Sequence, residues 1–114
     1  MSGTLVYNDY LSLYNSNKIK SLSFKKSQIQ PSSVDLSLSE ECYEIKTSFL
    51  SPDNKVKDKL KKIYKKKISL KKSKILKKNK TYIVKLNEKL NLNNSINGHC
   101  NPKSSTGRLN IFCR

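Results

Sequence analysis

The residues with the widest chemical repertoire gather at one end of the sequence, Asn97-Gly98-His99-Cys100-Asn101-Pro102-Lys103-Ser104-Ser105-Thr106-Gly107-Arg108-Leu109-Asn110-Ile111-Phe112-Cys113-Arg114. This stretch holds two of the three glycines, two of the three cysteines, the sole histidine and both arginines. Ser104, Ser105 and Thr106 stand between Lys103 and Arg108, bracketed by Pro102 and Gly107. Cationic and hydroxyl donors on a tight turn are the chemistry of a phosphate-holding loop. Pro102 stiffens the approach to Lys103, and Ser104 can N-cap a helical turn over 105–109. Backbone N–H groups and the dipole of such a turn favour an anion. Arg108, one turn on, can aim a bidentate fork at the same anion. Gly107 lets backbone come close to a ligand or a neighbouring subunit. Asn110, tolerant of left-handed geometry, can end the turn ahead of a strand Ile111-Phe112-Cys113. The Walker order Gly-x-x-x-x-Gly-Lys-Ser/Thr is absent, and a plain polar turn between two strands would draw on the same residue types.

The elements that must position this loop come from a chain of 114 residues, enough for one small domain. Hydrophobic residues make up 35%, which leaves a thin core and predicts help from oligomerisation or from a further part of the chain. The net charge of +16 is compatible with nucleic acid, an anionic membrane or a phosphorylated small molecule. Twenty-two of the 24 basic residues are lysine, so lysine is the default cation at exposed positions. The two arginines then stand out as candidates for sites that need a planar fork. No apolar run approaches the roughly 20 residues that cross a bilayer. Met1–Val6 lacks the basic-then-apolar order of a signal peptide. Three cysteines at wide spacing, Cys42, Cys100 and Cys113, suit reduced thiols in a cytoplasmic setting.

In chain order, Leu5, Tyr10, Leu13, Tyr14 and Ile19 are roughly helically spaced, predicting a short helix within 5–20 capped by Asn8 or Asp9. Leu22 and Phe24 alternate weakly, as in an edge strand. Val34, Leu36 and Leu38 alternate with Asp35 and Ser37, and Glu40–Ile45 continues that strand after a bulge or turn. Asp35 is the one charged residue within 34–38 and faces either solvent or the inner wall of a site. Ser51-Pro52-Asp53 is a turn. Val56, Leu60, Ile63 and Tyr64 predict an amphipathic helix with a lysine-covered outer face. Residues 55–80 hold fourteen lysines and one acid, Asp58, but only one aromatic, Tyr64, for stacking bases, so nucleic acid is not the favoured partner. Short strands are predicted at 68–70, 74–77 and 80–86, with Glu88–Leu92 and Ser95–Gly98 continuing the pattern of strands and turns. The sum is a mainly β barrel or sandwich with one inserted helix.

Pro102–Leu109 resembles the phosphate-binding motif of the dUTPase and dCTP deaminase superfamily. Three further stretches are similar in the same order: the N-terminal segment with Leu5 and Asp9, the Pro31-Ser32-Ser33-Val34-Asp35-Leu36-Ser37-Leu38 strand, and Lys80–Leu92. Glu40–Pro52 and Asn101–Arg114 are worded like the N-terminal half of the two-domain dCTP deaminases of alphaproteobacterial type. The resemblance implies a mainly β, dUTPase-like (β-clip) distorted barrel with a short N-terminal helix and one inserted lysine-rich helix. It implies that 1–114 is an incomplete domain that ends just after the phosphate motif. Ser104 and Ser105 would hold the nucleotide triphosphate together with Lys103, and Arg108 would contact phosphate and order the site. Ser104 and Arg108 would also lie near the attacked base, in a supporting catalytic role. Lys103 stands where arginine is common, which replaces a bidentate contact with a point charge. The family's catalytic glutamate matches no residue present, since Glu40, Glu41, Glu44 and Glu88 all precede the motif.

The implied reaction is hydrolytic deamination of dCTP to dUTP and ammonia by a cytoplasmic homotrimer, with Mg2+ arriving on the triphosphate and the fragment alone inactive. Zinc-dependent nucleobase deaminases need His-x-Glu and Pro-Cys-x-x-Cys. Here His99 and Cys100 are adjacent and Cys113 is remote, so no zinc site is expected. The rival readings are a dUTP pyrophosphatase on the same fold, a non-catalytic half serving assembly or nucleotide binding, and a basic RNA-binding module built on 55–80.

Overall fold

The computed structural model describes residues 3–47, 55–72 and 74–111. The expected turn at Ser51–Asp53 and the strand residues Phe112 and Cys113 lie outside them. Helix α1 spans Tyr7–Asn15. Its boundary residue is Val6 rather than Asn8 or Asp9. Asp9 acts from within the first turn, where its carboxylate accepts the Val6 N–H at 2.9 Å and satisfies an otherwise orphaned donor. The helix stops well short of Ile19 because Asn17 turns into the left-handed region (φ 58°). Ile19–Lys20 is instead strand β1. The predicted edge strand at Leu22 and Phe24 is absent: Leu22 is exposed, while Phe24 stacks on Tyr14 with ring centroids 4.7 Å apart.

Strand β2, Leu38–Ile45, is the centre of a three-stranded antiparallel sheet, flanked by β3 (Tyr64–Ser69) and β4 (Thr81–Leu86). The predicted irregularity is present as a register shift between Leu38 and Cys42 against β4. The strand expected from Val34 begins only at Leu38. Val34 makes an isolated bridge to Ile29, so 29–34 folds back on itself as a narrow loop before β2 starts. A second, two-stranded sheet pairs β1 with β5, Lys89–Leu90, with Ile19 opposite Leu90.

Helix α2, Val56–Ile63, runs straight into β3, so Tyr64 belongs to the strand rather than to the helix. No strand forms at 74–77, where the Lys77 N–H donates to the Tyr82 hydroxyl at 2.9 Å instead of to a sheet partner. Charged strand positions are paired across the sheet: Glu44 with Lys80 at 3.8 Å and Glu41 with Lys85 at 3.4 Å. The Tyr43 hydroxyl also donates to Glu41 at 2.5 Å.

The core is as thin as the composition requires. Among the described residues its buried apolar members are Ile19, Ile29, Cys42 and Ile45. Cys42 lies opposite both Ile68 and Val84, at the middle of the three strands. The one buried charged residue among those described is Glu88, which sits between β4 and β5 and is 6% exposed.

Candidate active site

The motif folds as a single helical turn, α3, over Ser104–Arg108. Lys103, in extended geometry, is the boundary residue, so the expected capping role of Ser104 is not filled. The consequence is chemical. Neither the Ser104 nor the Ser105 hydroxyl is spent on a hydrogen bond within the described residues, and both are exposed. The turn is five residues long, too short for its dipole to hold an anion unaided, so the side chains must supply the attraction.

Ser104 and Arg108 are four residues apart and Ser105 and Arg108 three, spacings that share a helix face. The Arg108 guanidinium is exposed and has no partner among the described residues. The Gly107 N–H closes the turn onto the Lys103 carbonyl at 2.8 Å. Among the described residues nothing requires glycine at 107, since an added Cβ would meet only Pro102 Cγ, at 4.0 Å. Asn110 ends the turn in the left-handed region, φ 56°, as expected.

Across from this turn lies the narrow loop ahead of β2. Lys103 Nζ is 3.0 Å from Asp35 Oδ2, and Gln30 Nε2 donates to the same oxygen at 3.2 Å. Asp35 therefore faces the motif rather than bulk solvent. Gln30, Asp35, Lys103, Ser104 and Ser105 together line an open cleft of about 380 Å3. Three of the expected phosphate contacts thus share one wall, and Arg108 stands on the same helical turn.

Sequence reasoning missed the group that holds the opposite wall. The Glu88 carboxylate accepts the Ser37 N–H at 2.9 Å, the Ser37 hydroxyl at 2.7 Å and Gln28 Nε2 at 2.9 Å. Burial pushes its pKa up, but these hydrogen bonds outweigh burial and bring it below the ordinary value. A signal existed: Glu88 is the sole acid after Asp58 in a chain dominated by lysine. It forms no ion pair among the described residues, being solvated by dipoles alone.

Cys42 is fully buried in β2, where burial pushes its thiol pKa up, the reverse of what a ligating thiolate needs. Among the described residues no three His, Cys, Asp or Glu side chains group as a metal site.

Comparison with known proteins places the chain in a family. The family model described as the 2'-deoxycytidine 5'-triphosphate deaminase (DCD) N-terminal domain matches residues 1–114. The chain belongs to the dCTP deaminase family. A similar solved structure is the 2'-deoxycytidine 5'-triphosphate deaminase of Agrobacterium tumefaciens, at 36% identity and a TM-score of 0.86. The match covers 94% of this chain and 33% of that one, so the chain spans about a third of its dCTP deaminase relative. No curated protein sequence matches. The dUTPase-like, mainly β reading of the fold therefore holds, with α1 and the lysine-rich α2 as the expected helices and α3 as the expected helical turn, one residue earlier than expected.

Proposed function

We propose that this chain forms the triphosphate-holding part of a dCTP deaminase, an enzyme that converts dCTP and water to dUTP and ammonia. One observation carries the reading: Lys103, Ser104 and Ser105 line a single cleft on the motif that the family resemblance assigns to phosphate. The Ser104 and Ser105 hydroxyls are uncommitted among the described residues, so they can meet phosphate oxygens without breaking an existing contact. Lys103 contributes a point charge and Arg108 a planar fork, the strong form of phosphate recognition.

In this reading Ser104 and Arg108 also support chemistry at the base. Water adds to C4 of cytosine and the 4-amino group leaves as ammonia. Ser104 would help place the water and Arg108 would order the site. The carboxylate that takes the water's proton in the family matches none of the 114 residues, so the chain alone should bind nucleotide without turning it over.

Mg2+ enters as part of the substrate, neutralising charge on the triphosphate. Asp35 is the carboxylate beside that cleft, already engaged by Lys103 and Gln30, which fits a cation held by phosphate oxygens and water rather than by a protein cage. The proposed chemistry needs no zinc. The thin core and exposed Leu22, Leu90 and Leu109 support assembly of the family trimer, with further surface buried between subunits. No helix among the described residues is long and apolar enough to cross a membrane, and the free thiols of Cys42 and Cys100 accord with a cytoplasmic site of action.

The test is to titrate dCTP, and separately dUTP, into the 114-residue chain by calorimetry while assaying ammonia and pyrophosphate. Saturable binding with neither product is expected. Absence of binding, or release of pyrophosphate from dUTP, would overturn the reading.

A further inference from the structure

We propose that Glu88 is a positioning residue for the triphosphate cleft, its carboxylate clamping both ends of the loop 28–37 and so holding Asp35 against Lys103. The inference rests on the nucleotide-binding reading above and adds to it a residue outside the motif. One oxygen, Oε1, accepts from Gln28 at one end of the loop and from the Ser37 hydroxyl at the other; Oε2 accepts the Ser37 N–H. The same Gln28 amide also donates to the Asp35 carbonyl at 2.9 Å, and the Asp35 N–H donates to the Gln28 carbonyl at 2.8 Å. Asp35 is thus tied through its backbone to a residue that Glu88 holds. Its carboxylate reaches across the cleft to Lys103.

Asn87 completes the arrangement by donating to the Ser37 hydroxyl at 3.1 Å and to the Leu38 carbonyl at 3.0 Å. The Asn87–Glu88 turn therefore grips the start of β2 as well as the loop. A carboxylate that is 6% exposed is costly to bury, and here every hydrogen bond it accepts from another residue fixes a segment that forms the cleft wall. A purely structural role would account for the burial. The positioning role requires in addition that loosening Glu88 be felt at Lys103.

Two measurements separate the roles. Trace acylation of lysines, read by mass spectrometry, reports the Lys103–Asp35 contact without nucleotide, because an ammonium held by a carboxylate acylates slowly. Glu88→Gln should raise the Lys103 rate toward that of Asp35→Asn, by about threefold. Calorimetry should show Glu88→Gln weakening dCTP binding about fivefold. In a Lys103→Met background the same change should weaken it less than about twofold, since coupled residues are not additive. Ser37→Ala, a smaller lesion that keeps the backbone donor, should move both readouts in the same direction and guards against simple unfolding of Glu88→Gln. Unchanged Lys103 acylation in the folded variants, or equal weakening with and without Lys103, would overturn the proposal. A changed acylation rate in a chain that binds no dCTP would sink the nucleotide reading while leaving the clamp on Lys103 standing.

Discussion

Lys103 Nζ lies 3.0 Å from Asp35 Oδ2, joining the motif turn to a loop almost seventy residues earlier in the chain. The pair closes one side of the cleft and leaves two of the lysine's three donors for other partners. Its energetic worth is small, because the Lys103 side chain is 65% exposed and that of Asp35 26%. Asp35→Asn should therefore cost no more than about 1 kcal/mol in urea denaturation, and less at high salt. A larger cost would mean that Asp35 holds up the fold rather than the site.

Arg108 gives the opposite profile. With no partner in the described chain, Arg108→Ala should leave the thermal midpoint unchanged. It should weaken dCTP binding about 10- to 100-fold, the range for losing a charge-assisted, bidentate contact. Arg108→Lys should recover only part of that loss, because an ammonium cannot reproduce the fork.

Glu88 links the cleft to stability and pH. Its net pKa is lowered, so its contribution is fully present above the ordinary value of 4.5 and is lost as pH falls through the lower folded value. Wild-type stability should fall below about pH 4.5, and Glu88→Gln should flatten part of that fall. At neutral pH Glu88→Ala, which strands the Ser37 and Gln28 donors, should cost about 2–3 kcal/mol, seen as a midpoint lowered by roughly 10 °C.

The thiols should divide sharply. Cys42 is fully buried with a raised pKa, whereas Cys100 is exposed. Iodoacetamide at neutral pH should modify Cys100 within minutes and leave Cys42 untouched until the protein unfolds. Equal labelling would contradict the placement of Cys42 at the centre of the sheet.

How much of this was legible in the sequence follows from where each contact is made. Local signals worked: the amphipathic spacing of Val56, Leu60 and Ile63 gives α2, the Thr81–Leu86 run gives β4, and Asn110 ends α3. The helical turn of the motif was legible because its residue types and spacing are local too. Failures came where a partner far along the chain decides. Val34–Ser37 alternates like a strand, yet the Ile29–Val34 bridge and the Glu88 carboxylate hold it as a loop. Lys74–Lys77 looks extended, but the Lys77 N–H goes to the Tyr82 hydroxyl rather than to a strand. Glu88 reads as an ordinary turn residue, and only the fold brings Gln28 and Ser37 to it.

The central claim is that nucleotide is held by the motif and not by the general positive charge of the chain. Titrating dCTP into the 15N-labelled protein and following backbone amides by NMR tests it most directly. Saturable shifts should cluster at Gln30, Asp35 and 103–108, while the exposed lysines of α2 and β3 stay still. Shifts spread over 57–67, growing with nucleotide concentration and abolished by modest salt, would contradict it.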